Sequence, residues 1–218
     1  MNIIISPSIL GGSFSNMEKI IFELNQSKAE FIHFDVMDGD FVPNLTFGSK
    51  FISDLRLKSK KIFDVHLMIK RVGNYLDDYI NAGSDIITFH YEIDENISEL
   101  INKVKKHKIK VGIAIKPNTN WEDVRKYLHA IDQVIIMTVE PGFGGQSFMN
   151  DQIKKIESIS HYIKRNNLKV NIEIDGGVNY ETGKLCVEAG ANVLVAGSFL
   201  FKQDNLTIAT DKLNDFFN

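Results

Sequence analysis

Cysteine is nearly absent, Cys186 being the single example in 218 residues. An intrachain disulfide and a cluster of metal-bound thiolates are therefore excluded, and a reducing compartment fits. The residue falls in a helical pattern, where packing is its expected role. No apolar stretch approaches membrane-spanning length, so no membrane partner is expected. The opening "MNIIISPSIL" has neither the basic segment nor the apolar length of a secretion signal, and a cytoplasmic location is the expectation. The formal net charge is only -3 and no long Lys/Arg block occurs, which argues against a nucleic-acid partner. An anionic ligand would have to be held by local groups. Low-complexity tracts and Pro/Gly/Ser linkers are also missing, leaving one domain over 1–218 as the default.

What is present is a hydrophobic content of 44% beside 24% charged residues, enough to bury a substantial core. Apolar, β-branched runs recur at 3–9, 31–37, 62–67, 86–90, 111–115, 134–139, 170–175 and 193–196. Between them lie amphipathic stretches of helical period at 17–26, 72–82, 97–107, 121–128, 153–166 and 181–189, with 45–57 the least clearly helical link. Alternating strands and helices, with strands apolar almost throughout, predict a parallel sheet covered by helices. Eight such repeats in this length predict an α/β fold closed as a (β/α)8 TIM barrel.

Chemistry in that fold belongs at the C-terminal ends of the strands. The unusual residues fall there: Ser8, His33 with Asp35, His66, His90, Asp175, and the pair Gly197-Ser198. In "HFDVMDG" the period of two turns His33 and Asp35 to one side, where burial demands a hydrogen bond, a cation or a solvent-facing end. Together His33, Asp35, His66 and Asp175 offer two imidazoles and two carboxylates, a donor set suited to Zn, Mn, Fe(II) or Co. Asp64 and Glu173, each two residues before a candidate ligand, share its face and can orient it; hydrogen bonding within the barrel interior explains them equally well. Four donors suffice, so His90 stays outside the set. Glycines form a second constellation in "EPGFGGQSF", "DGG" and "AGS". Each is a turn by itself, but three successive rim loops of this kind would cradle a phosphate with backbone N–H groups.

The motifs "SPSIL", "HFDVMDGDFVPNLTFG", "DVHLMI", "MTVEPGFGGQSF", "EIDGGV" and "VAGSFLF" occur in an order and spacing that closely resemble the ribulose-phosphate 3-epimerase family, over essentially the whole chain. The resemblance implies an epimerase that interconverts D-ribulose 5-phosphate and D-xylulose 5-phosphate in the pentose phosphate pathway. It implies one divalent cation on His33, Asp35, His66 and Asp175, zinc first with Fe(II), Mn or Co as alternatives. Asp35 and Asp175 would be the catalytic acid/base pair. Substrate contacts would come from Ser8, His66 and Asp175, from Gly142, Phe143, Gly144 and Gly145, and from Gly176, Gly177, Gly197 and Ser198. Met37, Met68 and Met137 resemble the family's apolar lining. The partner would be a small phosphorylated ketose, and the resemblance suggests a homo-oligomer. Two segments depart from the family pattern: "GGSF" after Leu10 replaces a more usual small-acidic-aromatic sequence, and "KRVGNY" lacks a proline often found there.

Three rival readings remain. The same barrel serves an epimerase of D-allulose 6-phosphate, and pocket length is not legible in sequence. A Schiff-base aldolase would need a lysine in the pocket, with Lys116 the candidate. A non-catalytic phosphosugar-binding barrel is disfavoured by retention of both carboxylates and both imidazoles.

Overall fold

The computed structural model describes residues 2–218. Eight strands are assigned: β1 (Ile4–Pro7), β2 (Phe31–Met37), β3 (Ile62–Met68), β4 (Ile86–His90), β5 (Lys110–Ile115), β6 (Gln133–Met137), β7 (Asn171–Asp175) and β8 (Val193–Ala196). All paired strands run parallel, in the order β1-β8-β7-β6-β5-β4-β3-β2. A parallel bridge between Ser8 and His33 joins β1 to β2 and brings the two ends of the sheet together. The result is a (β/α)8 barrel, as the alternation of strand and helix patterns predicts.

Alternation along β2 shows how the sequence divides its two faces. Ile32, Phe34 and Val36 turn outward into the main core between sheet and helices. Phe31, His33, Asp35 and Met37 turn into the barrel. There the lowest layer is apolar, with Phe31, Ile86 and Val193 packed together against Ile4 and Ile62. The register sets His33 beside Asp64 and Asp35 beside His66, and Ile135 beside Glu173 and Met137 beside Asp175. Polar side chains therefore occupy the middle and upper interior layers.

The helices are α1 (Met17–Gln26), α2 (Ser49–Arg56), α3 (Val72–Asn81), α4 (Ile97–Lys106), α5 (Trp121–Val124), α6 (Ile153–Arg165), α7 (Tyr180–Ala189), α8 (Ser198–Phe201) and α9 (Leu206–Phe217). Their ends carry identifiable stop and start signals. Asn96 caps α4 by accepting from the amides of Ser98 and Glu99, and Lys103, Lys105 and Lys106 complement the helix dipole at its other end. Asn179 and Thr182 form a capping box on α7, which ends at Gly190 in the left-handed region with φ 113°. An added methyl at Gly190 would lie 2.1 Å from Ser160 Oγ, so glycine is required twice over.

Several boundaries differ from the sequence expectation. The first strand ends at Pro7, because the chain turns into a short 3-10 segment at Ile9–Gly11. The sixth ends at Met137; Thr138 turns its hydroxyl to the carbonyls of Asp175 (3.1 Å) and Gly176 (2.6 Å) and the chain leaves the sheet. The 121–128 stretch is α-helical for one turn only and tightens to 3-10 geometry at Arg125–Tyr127. Within 45–57 only Ser49–Arg56 is helical. Helix α9 was not among the expected stretches; it is started by Asn205, which accepts from the Ile208 amide. Beyond it, Asn218 ties the chain end to β1 by accepting from Ile3 N (2.9 Å) and donating to Ile3 O (2.9 Å). Among the described residues no helix is long and apolar enough to cross a membrane.

Cys186 is fully buried in α7, in keeping with a packing role, and burial pushes its thiol up to about 12. At pH 8 a group titrating there is thiolate in roughly one molecule in ten thousand, and thiolate is the reactive form. The native protein should thus resist a thiol-labelling reagent at pH 8 and take up one equivalent in denaturant. Rapid native labelling would show that α7 opens far more readily than its packing implies.

Candidate active site

The strands bring His33, Asp35, His66 and Asp175 to one point at the C-terminal end of the barrel. One ligand atom from each lies within 4.8 Å of all the others. His33 Nε2 is 3.3 Å from Asp35 Oδ1 and 3.9 Å from Asp175 Oδ2. His66 Nδ1 is 3.6 Å from Asp35 Oδ1 and 3.4 Å from Asp175 Oδ2. Both nitrogens are buried without a hydrogen-bond partner. Orphaned buried nitrogens facing two carboxylates are costly in isolation and comfortable around a shared cation. The donor set thus fits a divalent metal ion.

Surrounding groups fix each donor. Ser8 donates through Oγ to Asp35 Oδ2 at 2.5 Å, leaving Oδ1 toward the imidazoles. Asp64 Oδ2 lies 2.7 Å from His33 Nδ1, and its Oδ1 accepts from Gln133 Nε2 at 3.0 Å. Asp64 therefore both orients His33 and is itself held. Glu173 lies 3.2 Å from His33 Nδ1, so both carboxylates that share faces with the donors lie against the same imidazole.

Burial alone would strip charge from both imidazoles. The carboxylates of Asp35 and Asp64 outweigh it at His33, and those of Asp175 and Asp35 outweigh it at His66, so both rings titrate above their ordinary range. Burial likewise opposes ionisation of Asp35, but His33 and His66 hold its pKa low. Glu173 goes the other way: burial and the charge on Asp64 raise it well above the carboxylate range. Of those two neighbouring carboxyls, Glu173 is the one that keeps a proton.

Above the donors opens a cleft of about 320 Å³, within the size range of small-molecule sites. Asp35 and Asp175 reach its floor, whereas His33 and His66 are buried beneath. Ser8, Gly142, Phe143, Gly144, Gly145, Gly176, Gly177, Gly197 and Ser198 all line it, as do Met37, Met68 and Met137. Gly176 and Gly177 adopt φ 127° and 65°, conformations that favour glycine. The amides of Gly177, Gly197 and Ser198 donate to no protein acceptor among the described residues. Over the rim, Gln146 Nε2 donates to the carbonyls of Glu140 (2.6 Å) and Phe143 (2.8 Å), and Asn44 donates to Gly142 O (2.7 Å).

Lys116 is absent from this lining; its Nζ sits 4.1 Å from the centre of the Phe41 ring. Lys202, which sequence reasoning missed, is the single cationic side chain lining the cleft among the described residues. It stands four residues after Ser198, at the end of the short α8, and no periodicity marks that helix.

Comparison with known proteins agrees with this geometry. Residues 4–201 match the model of the Ribulose-phosphate 3 epimerase family. The chain is 38% identical to ribulose-phosphate 3-epimerase of Chlamydia pneumoniae, over 95% of this chain and 91% of that one. Against the enzyme of the same name from Bacillus subtilis it is 38% identical, covering 92% and 93%. For that of Rhodobacter capsulatus the figures are 41%, 91% and 86%. Among solved structures, KGPDC from Streptococcus mutans superposes with a TM-score of 0.71 at 14% identity, covering 100% and 98%. Thiamine phosphate pyrophosphorylase from Pyrococcus furiosus does so with 0.67 at 13%, covering 99% and 96%. At such identities these two speak for the barrel alone. The sequence matches go further: the chain belongs to the ribulose-phosphate 3-epimerase family and is an epimerase.

Proposed function

We propose that the protein interconverts D-ribulose 5-phosphate and D-xylulose 5-phosphate in the pentose phosphate pathway, by proton transfer at C3 through an enediolate. The observation that carries this reading is the pair of carboxylates, Asp35 and Asp175, converging with two unpartnered imidazole nitrogens at the floor of a glycine-rimmed cleft. Inversion beside a carbonyl needs a proton removed from one face and another delivered to the opposite face. Asp35 and Asp175 perform those two transfers, and Ser8 keeps Asp35 aimed. General acid–base groups contribute about 10²–10⁴-fold, short of what enzymes usually supply, so further stabilisation of negative charge is required. His33, Asp35, His66 and Asp175 would hold one divalent cation, zinc by preference, with Fe(II), Mn or Co as alternatives. When bound, it supplies Lewis-acid stabilisation of the charge that develops on the sugar oxygens.

The amides of Gly177, Gly197 and Ser198 bind the phosphate, anchoring the remote end of the sugar so that C3 sits between the carboxylates. Met37, Met68 and Met137 exclude water from the reacting carbons. The loop 142–145, which follows β6 beside the β7 loop, borders the same side of the cleft. Lys202 adds attraction for the phosphate without touching the reacting atoms.

Asp35→Asn and Asp175→Asn should each abolish turnover while leaving the thermal transition in place, as read by a coupled pentulose phosphate assay beside a melting curve. In D₂O the epimerised product should carry deuterium at C3; product free of label in a single turnover would count against proton abstraction. Removal of bound metal with a chelator should suppress turnover, restored by Zn(II), Fe(II), Mn(II) or Co(II); full turnover by a preparation verified metal-free would remove the cation from the scheme. Lys202→Met should raise KM roughly 2- to 10-fold with little change in kcat, an effect that shrinks as salt is added. An unchanged KM at low salt would take Lys202 out of phosphate recognition.

A further inference from the structure

His90 ends β4 fully buried, outside the four donors but against one of them. Its Nε2 lies 2.9 Å from His66 Nε2. The ring centroids are 4.9 Å apart and the planes inclined by 24°. Rings in face contact keep their atoms about 3.5–4.0 Å apart, so nitrogens this close mean that the imidazoles meet edge to edge, in an N–H···N hydrogen bond. One ring donates and the other accepts.

The far side of His90 decides which. His90 Nδ1 is 3.0 Å from Glu92 Oε2. The other oxygen of Glu92 accepts from the Lys116 amide at 2.7 Å and from the Thr119 hydroxyl. Glu92 is thus an acceptor on every side, and His90 Nδ1 must carry the hydrogen. A neutral imidazole with N–H at Nδ1 has a bare Nε2. His66 Nε2–H is then the donor to it, which leaves His66 Nδ1 as the nitrogen that is bare in the neutral ring. That is the atom without a hydrogen-bond partner, 3.4 Å from Asp175 and 3.6 Å from Asp35. The Phe41 ring, its centroid 4.8 Å from that of His90, packs against the relay.

We propose that His90 and Glu92 are positioning residues that lock His66 in its Nε2–H tautomer and so keep its Nδ1 lone pair turned toward the four-donor centre. The proposal rests on the cation reading above. Glu92→Gln tests it with almost no change of shape. The glutamine oxygen keeps the bonds from Lys116 and Thr119, so its NH₂ faces His90 and inverts the relay: His90 must carry its hydrogen on Nε2, donate to His66, and force a hydrogen onto His66 Nδ1. Affinity for Co(II), titrated by visible absorption, should fall roughly 10- to 100-fold at an unchanged melting temperature. Long-range ¹H–¹⁵N spectra of the metal-free proteins, recorded at a pH above the transition at which His66 becomes neutral, should show His90 protonated on Nδ1 in the parent and on Nε2 in the variant. Parental Co(II) affinity in Glu92→Gln, or a parent with His90 protonated on Nε2, would overturn the relay. A parent that takes up no Co(II) would sink the cation reading, while the parental His90 tautomer would still decide the relay, as it would if the variant failed to fold.

Discussion

Four side chains that carry or share charge, three of them buried and Asp175 nearly so, sit where a barrel ordinarily packs aliphatic carbon, and that burial governs what surrounds them. A lone buried carboxylate or imidazolium would be expelled or neutralised. Here the three buried donors each have a partner on a neighbouring strand or strand end: Ser8 on Asp35, Asp64 on His33 and His90 on His66, with Gln133 in turn holding Asp64. Because these partners come from different strands, the parallel register is not free to slip. A one-residue shift would turn every donor outward into the apolar layer beneath the helices. The apolar floor of Phe31, Ile86 and Val193 closes the interior below, so the charges open only toward the cleft.

Rigidity and adaptability are divided between floor and rim. The donors sit on strands, whose backbone is held on both sides. Around them the loops are glycine-rich but tied at chosen points. Asp38 accepts from the amides of Asp40 and Phe41 through one oxygen and from that of Lys70 through the other, joining the β2 and β3 loops. Asn44 joins the β2 loop to Gly142 across the mouth. A cleft built this way has unpaired amides along one edge and fixed carboxylates at its centre.

Much of this was legible in the chain. The period of two in "HFDVMDG" sends His33 and Asp35 inward, and the histidines and aspartates at four strand ends come to one rim when the strands run parallel in a closed ring. The glycine motifs lead to the same rim, and all of the residues expected there line one cleft or lie directly beneath it. What escaped notice was set by tertiary contact. Helix α5 tightens after one turn, α9 is fastened by Asn205 and Asn218, and Lys202 directly follows a helix too short to show a period. His90 gave no hint of its role, since Glu92 and His66 reach it through space and not through spacing.

The first of the two departures from the family pattern has a packing reason, and nothing in the structure explains the missing proline of the second. At Gly11 an added methyl would lie 2.8 Å from Phe201 and 2.9 Å from the Gly197 carbonyl carbon; at Gly12 it would lie 2.6 Å from Ile20 and 2.7 Å from Phe201. The small residues after Leu10 thus match the large aromatic at the end of "GSFLF", and they press against the segment whose amides face the cleft. In "KRVGNY" the amide of Gly73 donates to Glu95 at 2.9 Å, and a methyl there would meet the same carboxylate at 2.6 Å. Neither change touches a donor. The first, however, bears on Gly197 directly, so the shape of the cleft edge at Gly197 in this chain depends on a pairing of Gly11 and Gly12 with Phe201 that neither segment reveals by itself.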